Sequence, residues 1–450
     1  MRVAVIGFGF SGLMVVANLV RAAQSALTVY VIDDNPHGFG TAYSTQNPEH
    51  LLNVPAGKMG AFADGIAGFH DWLATDAGQH AAARLGVKTQ YTLEDFAPRM
   101  LYAAYLESIW HDCQEMAAQK KLEIKLVPSR AVALRNETLA VLTARGDAIA
   151  ADMVVLAVGH EVKPLLPQLS AASMIQTPWA EHALDGAAHW PSPVMLVGTG
   201  LTAVDILLSL RRAGYQGEVV AASFSGALPM PHAAPSAVFK FNAHDIAAAK
   251  TLPQMLRLVR SSIRNVGQWR VVIDALRPHT QGLWQRLSTP VQLSALRRLG
   301  SVWSTHRHRM APEIAAQVEA EMAAKKLRMM GCKKIDAREE NGAPHITIHT
   351  ARGAHELQPS RVINCAGLEL NLAKSANPLL RQLLGEGMVE AHATGLGLTA
   401  DKHYRAWGGL YPNLYVVGSL LTGQLLESTA VPELRTQAAT IAQTLVANKK

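Results

Sequence analysis

Three glycines near the start of the chain, Gly7, Gly9 and Gly12, have the spacing of a phosphate-binding turn. They follow an apolar run at 2–6 that indicates a buried strand, and they precede a helical run at 13–20. The first glycine permits a tight turn, the second lets backbone amides approach a pyrophosphate, and the third lets the helix pack close to the strand. The helix N-terminus then faces the anion, with Ser11 inside the turn.

An acidic residue completes this pattern. A second apolar strand at 27–32 ends at Asp33, about twenty residues beyond Gly12, where a carboxylate would accept hydrogen bonds from a ribose hydroxyl. An ordinary glycine-rich loop would not need the strand, the helix and the acid in this register. The sequence therefore predicts a site for an adenine dinucleotide.

A second turn of the same kind lies in the middle of the chain. The strand at 194–197 leads into Gly198 and Gly200, with Thr202 and then Ala203 at the position of the third glycine. Each turn is followed by an antiparallel excursion and an apolar strand, and the first of these strands ends at Gly159. Two such units predict an α/β chain with two Rossmann-like dinucleotide-binding domains.

Composition limits what surrounds these turns. The chain has 450 residues, 49% of them hydrophobic, and no apolar stretch long enough for a membrane span, so we expect a cytoplasmic protein without a membrane partner. The net charge is +7, but scattered Lys and Arg favour phosphate-bearing cofactors over nucleic acid. The three cysteines form no Cys-x-x-Cys, which argues against a disulfide scaffold, a zinc ribbon and a dithiol reductase, and no metal-ligand spacing is present.

A long irregular segment, 35–64, follows Asp33. Loops of this length in compact domains are usually functional or disordered, and the apolar content of this one favours a ligand-lining role. It contains Tyr43, Asn53 and Val54. Further along, Arg99 could meet a phosphate or form a surface ion pair.

Residues 231–325 have a different character. Helical patterns at 246–259, 269–276, 282–287 and 291–306 predict a helical insertion packed on the nucleotide domain. Its end carries Arg307 and Arg309, which alternate with His306 and His308, and this pattern fits either an anion clamp or a solvated helix end.

The C-terminal segment returns to the first domain. A strand at 413–417 ends at Gly418, and a helix at 429–446 would aim its amides at the first cofactor. Glu427 could face that cofactor, or it could serve the dipole at the start of the helix.

The chain resembles a family of FAD/NAD(P)-binding flavoproteins with two dinucleotide-binding domains, related to N-hydroxylating and flavin-containing monooxygenases. The motifs that carry the resemblance are Gly40-x-Ala42-Tyr43, Leu51-Leu52-Asn53-Val54-Pro55-Ala56, Pro98-Arg99-x-x-Tyr102, Gly198-Thr199-Gly200-Leu201-Thr202-Ala203-Val204-Asp205, the run 306–312 and Glu427-x-Thr429-Ala430-Val431-Pro432-Glu433-Leu434-Arg435. The resemblance implies that FAD is held by Gly7, Gly9, Gly12 and Asp33, with Asn53 beside the flavin ring. It implies that Gly198, Gly200 and Ala203 hold the nicotinamide nucleotide.

The chain also departs from the family pattern. Ser223-Phe224-Ser225-Gly226 follows the strand 218–222, with neither a carboxylate for a ribose hydroxyl nor an arginine for a 2′-phosphate, and Ala203 leans towards NADPH. Ser419 replaces an acid that relatives often place near the ribitol. No Phe-x-Gly-x-x-x-His-x-x-x-Trp run is present, so Baeyer-Villiger and flavin-containing monooxygenase chemistry is not carried over.

The resulting expectation is an FAD-dependent oxidoreductase that uses NAD(P)H and acts on a small-molecule substrate. The first choice is a monooxygenase that hydroxylates a small polar amine or amino acid. A flavin dehydrogenase or reductase without oxygenation, and a redox-inactive FAD/NAD(P)-binding protein, are the alternatives. Candidate catalytic residues are Asn53, Arg307 and Arg309, and the oligomeric state is left open. The expected domains are 1–165 with 360–450 for FAD, 166–230 with 326–359 for NAD(P), and 231–325 for the insertion.

Overall fold

Two parallel sheets, each built around one glycine turn, form the frame of the molecule. The computed structural model describes residues 1–35, 39–135, 139–234, 237–408 and 413–447. Its strands β1 to β18 are, in chain order, Arg2–Ile6, Thr28–Asp33, Glu123–Pro128, Ala131–Arg135, Ala140–Thr143, Ala148–Ala150, Met153–Leu156, Glu161–Val162, Met174–Ile175, Val194–Val197, Val219–Ser223, Leu327–Gly331, Lys334–Glu340, Ala343–Thr350, Gly353–Leu357, Arg361–Asn364, Leu368–Glu369 and Leu414–Val416. Its helices α1 to α13 are Phe10–Ala22, Gly68–Leu73, Asp76–Arg84, Arg99–Gln119, Leu201–Arg212, Ala243–Ala248, Leu252–Val266, Trp269–Gln285, Thr289–Arg307, Pro312–Ala323, Pro378–Gly385, Thr422–Leu425 and Val431–Ala447.

The first sheet has the strand order β18-β7-β1-β2-β3, with every neighbouring pair parallel. Strand β1 lies at its centre, and its residues from Val3 to Ile6 are buried because both faces of the sheet are covered. Val3 and Val5 pack with α1, α4 and α13. Ala4 and Ile6 face the antiparallel strands β4 to β6 and helix α11. The first glycine turn therefore projects from the middle of a sheet with two cores.

The second sheet repeats this plan with the order β12-β11-β10-β16-β9, again parallel. Strand β10 is central, and Val194 and Leu196 pack against α5 and α10. Met195 and Val197 face the antiparallel strands β13 to β15 through Ile346 and Ile348. The predicted pair of dinucleotide units, each with an antiparallel excursion, is thus present.

The predicted domain boundary at 359/360 needs correction. Strand β16 pairs with β10 from Val194↔Arg361 to Val197↔Asn364, so it belongs to the second sheet. A boundary at 359/360 therefore lies one strand too early. The chain leaves the second sheet only after β16, just as it leaves the first sheet after β7. The two crossing segments meet in the short antiparallel ladder of β8 with β17.

The helical insertion consists of α6 to α9, so it ends before the predicted limit of residue 325, because α10 packs against the second sheet. The predicted helix at 246–259 is divided in two, because Thr251 and Gln254 form a capping box that starts α7. The patterns at 269–276 and 282–287 join into α8, which continues through Pro278. The insertion also contacts the segment between β18 and α13, where the Trp284 indole N–H donates to the carbonyl of Gly423 at 2.8 Å. Within the described ranges, no helix combines the length and apolar character needed to cross a bilayer.

Replacing glycine by alanine should have opposite effects on stability in the first turn and in the helices of the insertion. A Cβ at Gly12 would lie 2.0 Å from the backbone oxygen of Gly7, so Gly12→Ala should lower the free energy of unfolding by about 3 kcal/mol or more. Gly282 in α8 and Gly300 in α9 have no heavy atom within 4 Å of the added Cβ. Alanine at either helical position should raise the free energy of unfolding by about 0.5–1 kcal/mol. Urea unfolding followed by circular dichroism measures both effects, and equal losses in all three variants would contradict the steric argument.

Candidate functional site

The first turn is shaped to hold an anion. Gly7 adopts a φ of +95°, and a Cβ there would lie 2.3 Å from the carbonyl oxygen of Ala157. Helix α1 begins after Gly9 with no side-chain cap and no acidic residue in its first turn. Its first amides are therefore available to a ligand, and the positive end of the helix dipole favours a phosphate. Gly40, from the loop after β2, packs so closely that its Cβ would be 3.1 Å from the Gly9 Cα.

Asp33 lies at the end of β2 beside this turn. One carboxylate oxygen accepts a hydrogen bond from the Phe8 amide at 2.6 Å, and the other accepts from the Asn35 amide at 2.7 Å. The acid is thus fixed at the place where the sequence predicted a ribose contact. That contact itself stays a prediction. The loop residues 36–38 lie outside the described part of the chain.

The C-terminal segment closes on the same turn, as expected. A Cβ on Gly418, which has a φ of +85°, would lie 3.3 Å from the Ser11 hydroxyl. The Gly418 amide donates to the Gln437 side chain of α13 at 2.9 Å. The Ser419 hydroxyl donates to the carbonyl of Gly159, so the ends of β7 and β18 meet at the first glycine turn. Each glycine turn, together with the helix end that follows it, is called a cradle below.

The second turn has the same design with more open space. A Cβ at Gly198, where φ is +120°, would lie 2.2 Å from the carbonyl oxygen of Cys365. In front of Gly200 no described heavy atom comes within 4 Å of such a Cβ, and α5 starts there without a side-chain cap. Ala203 is buried in the first turn of α5, and Thr202 beside it is half-buried. The residues present therefore fit a second pyrophosphate.

Arg99 does not stand in either cradle. Its guanidinium forms an ion pair with Asp205 of α5 at 2.8 Å, with side-chain exposures of 17% and 8%. Its Nε also donates to the carbonyl of Leu51 at 3.2 Å. Of the two expectations for Arg99, an ion pair is what the structure shows, but it is a nearly buried one that joins the two dinucleotide units.

Tyr43 lies in the aromatic core beside the first cradle. Its ring centroid is 4.8 Å from that of Tyr102 and 6.5 Å from that of Phe10 in α1. Burial raises the pKa of Tyr43 well above its usual range, so the phenol stays protonated. The packing positions the loop that follows β2. Direct contact with a cofactor remains a prediction for this residue.

His50 is a connecting residue whose role the sequence did not reveal. Its ring nitrogens lie 2.9 Å from the Asp205 carbonyl oxygen, 2.9 Å from the Ser209 hydroxyl and 2.7 Å from the Thr45 hydroxyl. Burial is the main cause of its lowered pKa, which favours a neutral ring. Together with Arg99, it ties the loop before Asn53 to helix α5. Nothing in the sequence distinguished this histidine from the other polar residues of the loop, such as Asn47 and Glu49.

A cavity with a volume of about 550 Å³ lies between the loop after β2 and the insertion. One wall is the loop that contains Asn53, Val54 and Lys58, and the other is the insertion. His232 joins the walls, because its Nε2–H donates to the Asn53 carbonyl at 3.0 Å. Burial and the nearby Arg309 charge lower the pKa of His232 to about 4, so the ring is neutral at pH 7. The cavity brings together Asn53, Arg307 and Arg309, the three predicted catalytic candidates.

Both arginines of the predicted anion clamp have an acidic partner within the protein. Arg307 donates from Nε to a Glu427 carboxylate oxygen at 3.0 Å, and the Trp303 indole N–H donates to the other oxygen at 3.1 Å. The exposures of the Arg307 and Glu427 side chains are 10% and 8%. Arg309 is paired with Asp274. Both arginines are nearly buried and paired with an acid, so the expectation of a solvated helix end was wrong. The anion clamp stays a prediction.

Two other cations on the cavity wall are unpaired. Among the described residues, no carboxylate lies within 4.0 Å of the charged groups of Lys58 or Arg270. Arg270 donates from Nε to the carbonyl of Pro231 at 3.0 Å, and its guanidinium lies 4.5 Å from the ring centroid of Trp269. Neither contact neutralises its charge. An anionic group in the cavity would therefore find Lys58 and Arg270 without an acidic partner among the described residues.

Comparisons with known proteins agree with this geometry. A family model described as FAD-NAD(P)-binding matches residues 4–161, which confirms the predicted FAD-NAD(P)-binding domain in that part of the chain. A search of curated protein sequences gave no match.

Solved structures with a similar fold include two ornithine hydroxylases and a lysine monooxygenase. The reduced form of ornithine hydroxylase from Pseudomonas aeruginosa is 15% identical, with 100% of this chain and 99% of that chain covered and a TM-score of 0.64. L-lysine 6-monooxygenase from Pseudomonas syringae is 16% identical, with coverages of 100% and 99% and a TM-score of 0.63. The ornithine N-hydroxylase of Kutzneria sp. 744, with reduced FAD, NADP⁺ and L-ornithine, is 15% identical, with coverages of 100% and 99% and a TM-score of 0.62. The chain thus has the fold of flavoproteins with two dinucleotide-binding domains, as the sequence predicted.

The Arg307–Glu427 pair should behave as a structural unit. Arg307→Ala should lower the free energy of unfolding by about 3–5 kcal/mol, because it leaves the Glu427 carboxylate buried without its partner. Glu427→Ala should also destabilise, whereas Arg307→Ala combined with Glu427→Ala should lose less than the two single variants added together. A double-mutant cycle in urea measures the coupling between the two residues. Additive losses would mean that the pair contributes nothing as a pair.

Proposed function

We propose that this protein is an FAD-dependent oxidoreductase that uses NAD(P)H, with its reaction centre at the cavity beside Asn53. One observation supports the proposal best. Two helices, α1 and α5, each begin behind a glycine turn without a side-chain cap, and the same chain has a cavity between the Asn53 loop and the helical insertion. The family match over residues 4–161 supports FAD at the first turn.

The residues proposed for each cofactor divide between the two turns. Those for FAD are Gly7, Gly9, Ser11, Gly12, Asp33, Tyr43, Asn53, Val54, Arg99, Gly159, Gly418 and Glu427, and those for the nicotinamide nucleotide are Gly198, Gly200, Thr202 and Ala203. Arg99 and Glu427 are paired with other side chains of the protein. Their proposed role is therefore to position the loop and the insertion. When bound, FAD would accept a hydride and pass it on or support transfer of one oxygen atom.

The proposed reaction is hydroxylation of a small polar amine or amino acid. The similar fold of the ornithine and lysine hydroxylases supports a monooxygenase, and the absence of a Cys-x-x-Cys pair disfavours a dithiol reductase. All three cysteines are buried free thiols, which also suits a reducing cytoplasm. A flavin dehydrogenase without oxygenation is the second candidate.

The charges on the cavity wall suit a substrate with both signs. Lys58 and Arg270 offer unpaired positive charge to a carboxylate. Asp274 lines the same cavity with 51% of its side chain exposed, although it is paired with Arg309, and Glu94 adds a second acid. An amino group would therefore find a carboxylate on the wall. His232, neutral at pH 7, keeps the Asn53 loop in position without adding charge.

Absorption spectroscopy of the purified protein tests the cofactor assignment. The protein should be yellow with flavin bands, and NADPH or NADH under argon should bleach them, with NADPH the more effective of the two. A colourless protein that takes up no FAD would favour a redox-inactive binding protein. Gly200→Val, which fills the open space before α5, should abolish bleaching by either nucleotide while leaving the flavin bands in place.

Oxygen separates the two enzymatic candidates. After reduction, exposure to ¹⁸O₂ with a panel of amines and amino acids should give one product that carries a single labelled oxygen, detected by mass spectrometry. Release of hydrogen peroxide with every compound, and no labelled product, would instead favour a dehydrogenase or reductase.

Selection for a carboxylate should depend on Arg270. L-Ornithine and 1,4-diaminobutane differ by one carboxylate, as do L-lysine and 1,5-diaminopentane. In whichever of these two pairs binds, the amino acid should bind about tenfold or more tightly than the diamine. Calorimetry on the oxidised holoprotein measures both affinities. Arg270→Gln should remove this preference, whereas Arg145→Gln, an exposed residue outside the cavity, should leave it unchanged. Unchanged selection in Arg270→Gln would show that the carboxylate is bound elsewhere.

A further inference from the structure

The helical insertion carries an unusual charge. Between residues 240 and 309 the sequence has twelve Lys and Arg but only two acids, Asp245 and Asp274. The whole chain has a net charge of +7, so the rest of the molecule is slightly acidic. The excess positive charge of the protein is therefore not scattered, as the sequence first indicated, but concentrated in the insertion.

Few of these cations are neutralised by the fold. Ion pairs hold three of them, namely Arg277 with Glu433, Arg307 with Glu427 and Arg309 with Asp274. Among the described residues, no other Lys or Arg of the insertion lies within 4.0 Å of a carboxylate. The buried cations are thus used for structure, and the exposed ones are left without acidic partners.

Three of the unpaired cations form a stripe on α7. Arg257, Arg260 and Arg264 are all exposed, and their spacing of three and four residues places them on one face of the helix. The stripe extends about 10 Å along the helix axis. The opposite face of α7 is held against α8, and its residues Met255 and Ser262 are buried.

The stripe leads to the cavity. Helix α7 ends at Val266, and the residues that follow, from Gly267 to Arg270, line the cavity wall. Arg264 lies three residues before this wall. A molecule bound along α7 would therefore be placed beside the entrance to the candidate reaction centre.

We propose that the Arg257, Arg260 and Arg264 face is a docking surface for a partner protein that presents an acidic helix. Carboxylates at i, i+3 and i+7 of such a helix have the same spacing as the arginines, and each guanidinium can bind a carboxylate with two hydrogen bonds. Helices that bind membranes also need an exposed apolar face opposite the basic one. In α7 the apolar residues Met255, Leu258 and Val259 pack in the core of the insertion instead. The exposed neighbours of the arginines are Pro253, Gln254 and Asn265.

Two synthetic helical peptides test the surface. Both are alanine-rich and 21 residues long with six glutamates, placed on one face in the first peptide and distributed around the helix in the second. Fluorescence anisotropy with the full-length holoprotein should show the one-faced peptide binding at least fivefold more tightly. Gln at 257, 260 and 264 together (Arg257→Gln, Arg260→Gln, Arg264→Gln) should weaken its binding at least tenfold and remove the difference between the peptides.

A charge-matched variant provides the control. Arg145→Gln, Arg352→Gln and Lys374→Gln remove three exposed cations from other parts of the molecule and should change peptide binding less than twofold. Glutamine is a good helix former, so circular dichroism should show both triple variants folded. Equal binding of the two peptides, or equal losses in the two variants, would overturn the proposal. So would tighter, stripe-dependent binding of a 21-base-pair duplex DNA or of vesicles with phosphatidylcholine and phosphatidylglycerol at 7:3.

Discussion

The structure depends on a steric constraint that occurs twice, the close approach of two backbones at each glycine turn. A Cβ at Gly7 would lie 2.3 Å from the carbonyl oxygen of Ala157, and one at the equivalent Gly198 would lie 2.2 Å from that of Cys365. Because glycine has no side chain, the backbones can approach closely, and each helix can begin directly above the end of a central parallel strand. The uncapped amides of α1 and α5 then face open positions at the carboxyl edge of their sheets, where α/β proteins bind ligands. The cores on both faces of each sheet hold this arrangement in place.

Burial of charge explains how the other parts are attached. Arg277, Arg307 and Arg309 leave water when the insertion packs, and each finds a carboxylate, because an unpaired buried charge costs several kcal/mol. Glu427 and Glu433 come from the segment that closes the first cradle. The ion pairs of Arg277 and Arg307 therefore also position the insertion over the cofactor domain, whereas the Arg309–Asp274 pair lies within the insertion. They also leave Lys58 and Arg270 as the cavity cations without an acidic partner.

The two dinucleotide units are joined by a small polar network. Asp205 is in the second turn of α5, directly behind the second cradle, and it pairs with Arg99 at the start of α4. His50 contacts the carbonyl of the same Asp205 from the loop that leads to Asn53. This network therefore connects the helix proposed to hold the nicotinamide nucleotide with the loop proposed to lie beside the flavin. Electron transfer between two bound cofactors requires a fixed relation between such elements.

The sequence by itself determined both turns, both parallel sheets and the antiparallel excursions, because the signal for each lies within a short run of residues and follows from backbone geometry. It placed helices in the insertion correctly, but it missed the capping box at Thr251 that divides one of them. Only the tertiary structure decided what Arg99, Arg307 and Arg309 do. Their partners come from distant parts of the chain, and nothing local in the sequence states which carboxylate will be buried beside which guanidinium. The charge that a side chain carries is a local property, but whether that charge is free to bind a ligand depends on what the fold packs against it.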